Sequence, residues 1–189
     1  MIGVYFDGAC EPINPEGIAT FGYVIYNDEN KLNEGKEIAC EPLSSQASNN
    51  VAEYTGLITA LEWLLDNNNK AHDIHVYGDS QLTIRQMIGR YAVKAERLLS
   101  LFAKAQQLAT QFESIRFEWI PREANEEADA LTHHAYNEYI ESDPAIKEKI
   151  KPLLATEKQR ALMNQLKIVY DKNISKREAS RLIKQKLAK

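Results

Sequence analysis

The sequence predicts an α/β fold: a five-stranded mixed sheet flanked by helices, followed by a small all-helical C-terminal module. Three observations carry this prediction. Segments rich in β-branched and aromatic residues alternate with segments of helical period. The first three strands follow one another through turns, whereas each later strand is reached through helices. Finally, the charge changes sign near residue 140. Residues 1–140 hold 10 Lys and Arg against 21 Asp and Glu, a net of -11, whereas residues 141–189 hold 13 against 6, a net of +7. The expected division is therefore 1–140 and 141–189.

Each element has a local reason. Residues 2–9 read as a strand, with Ile2, Val4 and Phe6 on one face and Tyr5 and Asp7 on the other. After a turn at Asn14-Pro15-Glu16-Gly17, ATFGYVIYN (19–27) is a second strand, and GKEIACEPL (35–43) a weaker third. Ser48 caps a helical pattern that runs to about Asn67. DIHVYG (73–78) is a strand, followed by Asp79-Ser80 and a helix to about Gly89; residues 95–111 form another helix. SIRFEWI (114–120) alternates as the fifth strand, and Asn125 opens a helix to about Tyr139. In the tail, Asp143-Pro144 starts a short helix. TEKQ (156–159) and SKRE (175–178) have the form of capping boxes. Their helices are expected to pack through Leu162, Leu166 and Val169, and through Ala179, Leu182, Ile183 and Leu187, with Ile174 stapling to Ala179.

Composition narrows the class. The chain has 189 residues, 44% of them hydrophobic and 26% charged, which is ordinary for a globular protein. It has no run of about eighteen apolar residues, so no membrane span is expected. The start MIGVYFDGAC lacks the layout of a secretory signal. Cys10 and Cys40 are too few for a disulfide framework and have no metal-ligand spacing. A cytoplasmic protein with free thiols is the expectation.

Four carboxylates stand where carboxylates are costly. Asp7 closes an apolar strand, and a lone buried charge costs several kcal/mol or more unless paired or metal-bound. Glu53 shares a helix face with Leu57, Ala60 and Leu64; the alternative is an edge residue whose head reaches water. Asp79 lies where a strand passes into a helix, a position that fits a helix cap as well as a ligand site. Asp129 lies in the first turns of its helix, where interaction with the helix dipole would suffice. Together, four converging acids repel one another unless cations fill the gap. Oxygen-only donors suit Mg²⁺ or Mn²⁺, the usual basis of two-metal phosphoryl transfer.

DGAC (7–10), NNVAEYTGLITALEWL (49–64), GDSQL (78–82) and PREANEEADALTHHA (121–135) resemble, in order, the signature segments of type 1 ribonuclease H. The resemblance covers about residues 1–140. It implies a ribonuclease H-like fold, whose sheet has its first three strands antiparallel. It also implies hydrolysis of the RNA strand of RNA·DNA hybrids, leaving 5′-phosphate and 3′-hydroxyl ends. The family's metal-binding catalytic acids match Asp7, Glu53, Asp79 and Asp129, with two ions per site, one activating water and one stabilising the leaving 3′-oxygen. Asn14, Asn49, Asn50 and Gln81 match positions that face the hybrid's minor groove, where amides can bond 2′-hydroxyls. Ser48 matches a hydroxyl that helps hold a DNA-strand phosphate; helix capping is the alternative for Ser48, Asn49 and Asn50.

Two departures from the family stand out. The histidine that many members carry before the last acidic helix is missing from WIPREAN, leaving Arg122 or Glu123 as substitutes. His133 and His134 read as helix-surface residues. The basic helix that many relatives insert after the second helix is reduced to GRYAVKAE, with Lys94 as an accessory cation. The basic module, with Lys176, Arg177 and Arg181 among its cations, is then either a phosphate grip that replaces the missing one or a protein-docking element. The competing substrate is double-stranded RNA, and the competing class a non-catalytic nucleic-acid-binding module.

Overall fold

In a computed structural model describing residues 1–188, five strands form one sheet in the order β3-β2-β1-β4-β5. Lys189, the last residue of the expected module, lies outside the described residues. β1 (Ile2–Glu11), β2 (Ile18–Asn27) and β3 (Asn30–Ile38) are antiparallel neighbours. β4 (Asp73–Gly78) and β5 (Ser114–Trp119) continue the sheet in parallel with β1. The mixed topology follows the sequence order: short turns allow antiparallel pairing, and helical crossovers permit parallel pairing.

β3 begins earlier than its pattern suggests. Asp28 adopts a left-handed conformation (φ 52°), so a two-residue turn folds Asn30 directly back onto Asn27. Residues 30–34 are NKLNE, polar because this is an edge strand with exposed side chains, and hydrophobic alternation is therefore absent there.

On one sheet face lie α1 (Asn49–Asp66), α2 (Gln81–Met87) and α3 (Glu96–Ala109), and they bury Ile2, Val4 and Phe6 as expected. Leu57, Leu61 and Leu64 of α1 are fully buried. At roughly 2 kcal/mol each, they outweigh the several kcal/mol that burying a carboxylate on the same helix costs. α4 (Glu126–Ser142) packs on the opposite face against β2, where a side chain at Gly22 would meet the Ala128 carbonyl at 2.6 Å.

The tail divides later than the charge does. α4 runs past residue 140, and α5 (Pro144–Ile150) buries Ile146 and Ile150 with Ile18, Tyr136 and Ile140 of the main body. A separate small core begins at Ala155 and joins Met163 of α6 (Glu157–Gln165), Ala179 of α7 (Lys176–Leu187) and Ile174 of the connector between them. The reciprocal capping box forms at Thr156 and Gln159. At α7 the Ser175 hydroxyl accepts from the Glu178 N–H, but the Glu178 carboxylate turns to Arg181 instead of back to the cap. The expected Leu162–Leu166–Val169 stripe does not hold. α6 stops at Gln165, Lys167 is left-handed (φ 54°), and Val169 is 96% exposed while Met163 fills the core.

Candidate active site

The site is built from the sheet outward. β4 ends at Gly78 opposite Phe6, but β1 continues to Glu11 through its pairing with β2. Asp7 and Asp79 are thus the next residues on two adjacent parallel strands, at the point where that pairing stops. Neighbouring strands lie roughly 4.8 Å apart, so the two carboxylates are forced close. The strand read at residues 2–9 runs on to Glu11, so Asp7 does not close it; it is β4 that ends there.

Glu53 comes from the second turn of α1 because α1 presses directly on β1. A Cβ on Gly8 would lie 2.2 Å from the Glu53 amide nitrogen and 2.6 Å from the Ala52 carbonyl carbon. Only glycine permits this approach. Gly8→Ala is therefore expected to destabilise the fold by about 1–3 kcal/mol in urea denaturation, and a loss below about 0.5 kcal/mol would show that α1 shifts freely.

Asp7, Glu53 and Asp79 each offer a carboxylate oxygen within 4.8 Å of the others. Asp7 and Glu53 are each 6% exposed, and Glu53 Oε2 is buried with no hydrogen-bond partner. Burial, reinforced by the Asp79 and Asp129 charges, pushes the Asp7 carboxyl up to about 6. Burial and the charges of Asp7 and Asp79 push Glu53 well above the usual carboxylate range. Three converging oxygen donors, one of them orphaned, with no thiol or imidazole among them, suit a hard divalent cation. Such a cation would favour the charged forms of Asp7 and Glu53.

Asp129 does not join this trio. Its Oδ1 pairs with the Arg122 guanidinium, and its Oδ2 lies 3.7 Å from His133 Nε2. Arg122, in a short 3₁₀ turn (Arg122–Ala124) before α4, also lowers the charge cost at Asp7 and Glu53. The Asn125 side chain joins α4 to the sheet end: its Nδ2 donates to the Phe6 carbonyl at 2.9 Å and to Asp79 Oδ1 at 3.4 Å.

The acids open into a cleft of about 750 Å³, which Asn14, Asn49 and Asn50 also line. Asn14 Oδ1 accepts from the Asn49 N–H at 3.1 Å, tying the β1–β2 loop to the start of α1. Other expected contacts are not brought there. Ser48 is 3% exposed and its hydroxyl is engaged in capping, accepting from the Val51 N–H at 3.4 Å. Gln81 is exposed at the start of α2, and Glu123 and Lys94 are exposed on their connectors, all outside the cleft lining. Of the module's cations, Arg177 and Arg181 line the cleft, whereas Lys176 Nζ donates to the Pro152 carbonyl.

Sequence reasoning misses two residues here. His133 is not a plain surface residue: it lines the cleft one turn after Asp129 on α4, and the i,i+4 spacing is a usable signal. Asn125 reads as a cap in sequence, and no local signal reveals that its amide reaches the sheet.

Residues 5–135 match the family described as reverse transcriptase-like. The N-terminal RNase H domain of Rv2228c from Mycobacterium tuberculosis superposes with a TM-score of 0.66 at 35% identity, covering 75% of this chain and 96% of that one. The chain is a ribonuclease H-like protein. Its residues are 36% identical over 138 positions to Ribonuclease HI of Halobacterium salinarum, covering 72% of this chain and 65% of that protein. LC11-RNase H1, from compost and solved in complex with RNA/DNA hybrid, gives a TM-score of 0.66 at 36% identity, covering 74% of this chain and 99% of that one. The full bifunctional protein Rv2228c is 38% identical over 146 residues, 76% of this chain. The ribonuclease H-like chain spans only 38% of that curated relative's length. α6 and α7 lie outside the family match.

Proposed function

We propose that the protein is an endoribonuclease that hydrolyses the RNA strand of RNA·DNA hybrids, leaving 5′-phosphate and 3′-hydroxyl ends. The observation that carries this reading is the trio Asp7, Glu53 and Asp79, with oxygens within 4.8 Å of one another at the end of the sheet. Relatives named for ribonuclease H activity support it, one of them solved with a hybrid.

Asp7, Glu53 and Asp79 are the residues that would hold Mg²⁺ or Mn²⁺, with Asp129 as the fourth acid. When bound, two such ions supply activation of the attacking water and stabilisation of the leaving 3′-oxygen. The chain's own residues prepare that chemistry. β1 holds Asp7 on a rigid strand, the end of β4 places Asp79 beside it, and Asn125 holds Asp79 to the sheet end through Oδ1. Arg122 pairs with Asp129. His133 Nε2, beside Asp129 Oδ2, is placed to exchange a proton with water in the cleft. Asn14, Asn49 and Asn50 present amides along the same cleft, where 2′-hydroxyls of an RNA strand can be bonded.

The test uses labelled RNA·DNA hybrid, RNA duplex and DNA duplex with Mg²⁺, Mn²⁺ or EDTA. The expected result is cutting of the RNA strand of the hybrid, with either ion and not in EDTA. Preferential cutting of the RNA duplex would replace the substrate assignment. Hybrid cleavage that persists in EDTA would refute the metal-dependent one.

A further inference from the structure

The first turns of α7 form one wall of the cleft that contains the three acids, and nothing in the activity proposed above uses them. Ser175, Arg177, Glu178 and Arg181 line that wall, in the same cleft as His133 and Arg122. Their proximity is electrostatic as well as geometric. Glu11, at the end of β1, lies in the fields of His133, Arg122, Arg177 and Glu178 together. Glu178 lies in those of Arg122 and His133. The module is also fastened in place: Asn137 of α4 donates to Asp171 Oδ2 at 2.6 Å and accepts from Asn173 Nδ2 at 2.6 Å.

The wall's charges are not equivalent. Arg181 donates to Glu178 through Nε at 2.7 Å and through its other guanidinium nitrogen, so the two charges cancel. Lys176 is turned back into the module by the Pro152 carbonyl. Arg177 is exposed to the cleft and, among the described residues, has no carboxylate within ion-pair distance. A free guanidinium at the rim of a cleft whose floor collects cations invites an extended anion. A ligand that meets both must carry several regularly spaced negative charges, as a phosphodiester chain does.

We propose that α7 completes the substrate channel and that Arg177 binds a backbone phosphate of the nucleic acid lying across the three acids. This rests on the hybrid-cleaving activity proposed above. The contact is to phosphate and not to a base edge, so it positions the strand without reading its sequence. A planar guanidinium holds two phosphate oxygens in a fixed fork, a geometry that a lysine's point charge does not impose.

Two measurements on the full chain separate this from the activity itself. Anisotropy of a labelled RNA·DNA hybrid in EDTA reads binding, and Michaelis kinetics with Mg²⁺ read turnover. Arg177→Ala is expected to weaken binding and raise KM by roughly three- to tenfold, with kcat within about twofold and the log–log salt slope reduced by about one. Arg177→Lys is expected to recover part of the affinity and most of the slope. Lys158→Ala, an exposed cation on α6 away from the cleft, is expected to match the wild type. An Arg177→Ala protein with the affinity and slope of Lys158→Ala overturns the inference, whatever the activity. A wild type that binds the hybrid but never cuts it overturns the activity reading and leaves the α7 contact standing.

Discussion

Asp7→Asn is expected to lose hybrid cleavage by about three orders of magnitude or more while making the protein in EDTA more stable. Both effects have one cause. The Asp7 carboxyl is buried between β1 and α4 beside Glu53 and Asp79, and its pKa rises from 3.8 to about 6. That difference corresponds to about 3 kcal/mol lost when the carboxyl is ionised without a cation. The folded protein binds more protons than the unfolded chain between pH 4 and 6. This group's contribution to stability is therefore present below pH 4 and is lost as pH rises through 6. Asparagine carries no charge to desolvate, so its advantage over the wild type should be about half as large at pH 5 as at pH 8, where it is greatest. At pH 8 the gain should reach about 1–3 kcal/mol, or roughly 2–10 °C in Tm for a chain of this size. Thermal melts of both proteins at the two pH values decide the matter. A variant that melts below the wild type at pH 8 would mean that Asp7 makes structural contacts beyond its charge.

Adding Mg²⁺ or Mn²⁺ should stabilise the wild type, more at pH 8 than at pH 5.5. A ligand that binds only the folded state at about a hundredfold excess over its Kd contributes about 2.7 kcal/mol. Protons compete for the same oxygens, because both Asp7 and Glu53 have raised pKa values. Metal binding must displace them, so its effect fades as pH falls below about 6. Asp7→Asn should lose most of the metal-induced rise in Tm at either pH. An equal rise in the variant would place the bound cation elsewhere on this acidic body.

The relation between burial and function is partly legible in the amino-acid pattern. Glu53 is conspicuous because it interrupts a stripe of Leu57, Ala60 and Leu64, and the fold buries all four. Asp7 is conspicuous as a charge after an apolar strand, although the reason differs in detail: β4 stops there and β1 does not. Asp129 stands out as an acid, but its pairing with Arg122 does not, because a 3₁₀ turn separates the two and carries no periodic signal. Ser48 shows how capping and substrate contact compete in a sequence and are decided by burial. Val169 shows how a stripe projected past a helix end fails once a left-handed residue stops the helix.

By itself the sequence determined the order of elements, the antiparallel start of the sheet, the caps at Ser48, Thr156 and Ser175, and the positions of Asp7, Glu53 and Asp79, the three acids that converge. These follow from periodicity and from hydrogen bonds within a turn or two, which short stretches of chain encode. Only the tertiary structure decided that Asn125 ties α4 to Asp79, that His133 lines the cleft, that α5 packs with the main body, and that Arg177 lines the same cleft as the acids. Each depends on how elements far apart in the chain are packed. In particular, the close approach of α1 at Gly8 and the docking of α6 and α7 on α4 through Asn137 bring together charges that no local pattern relates.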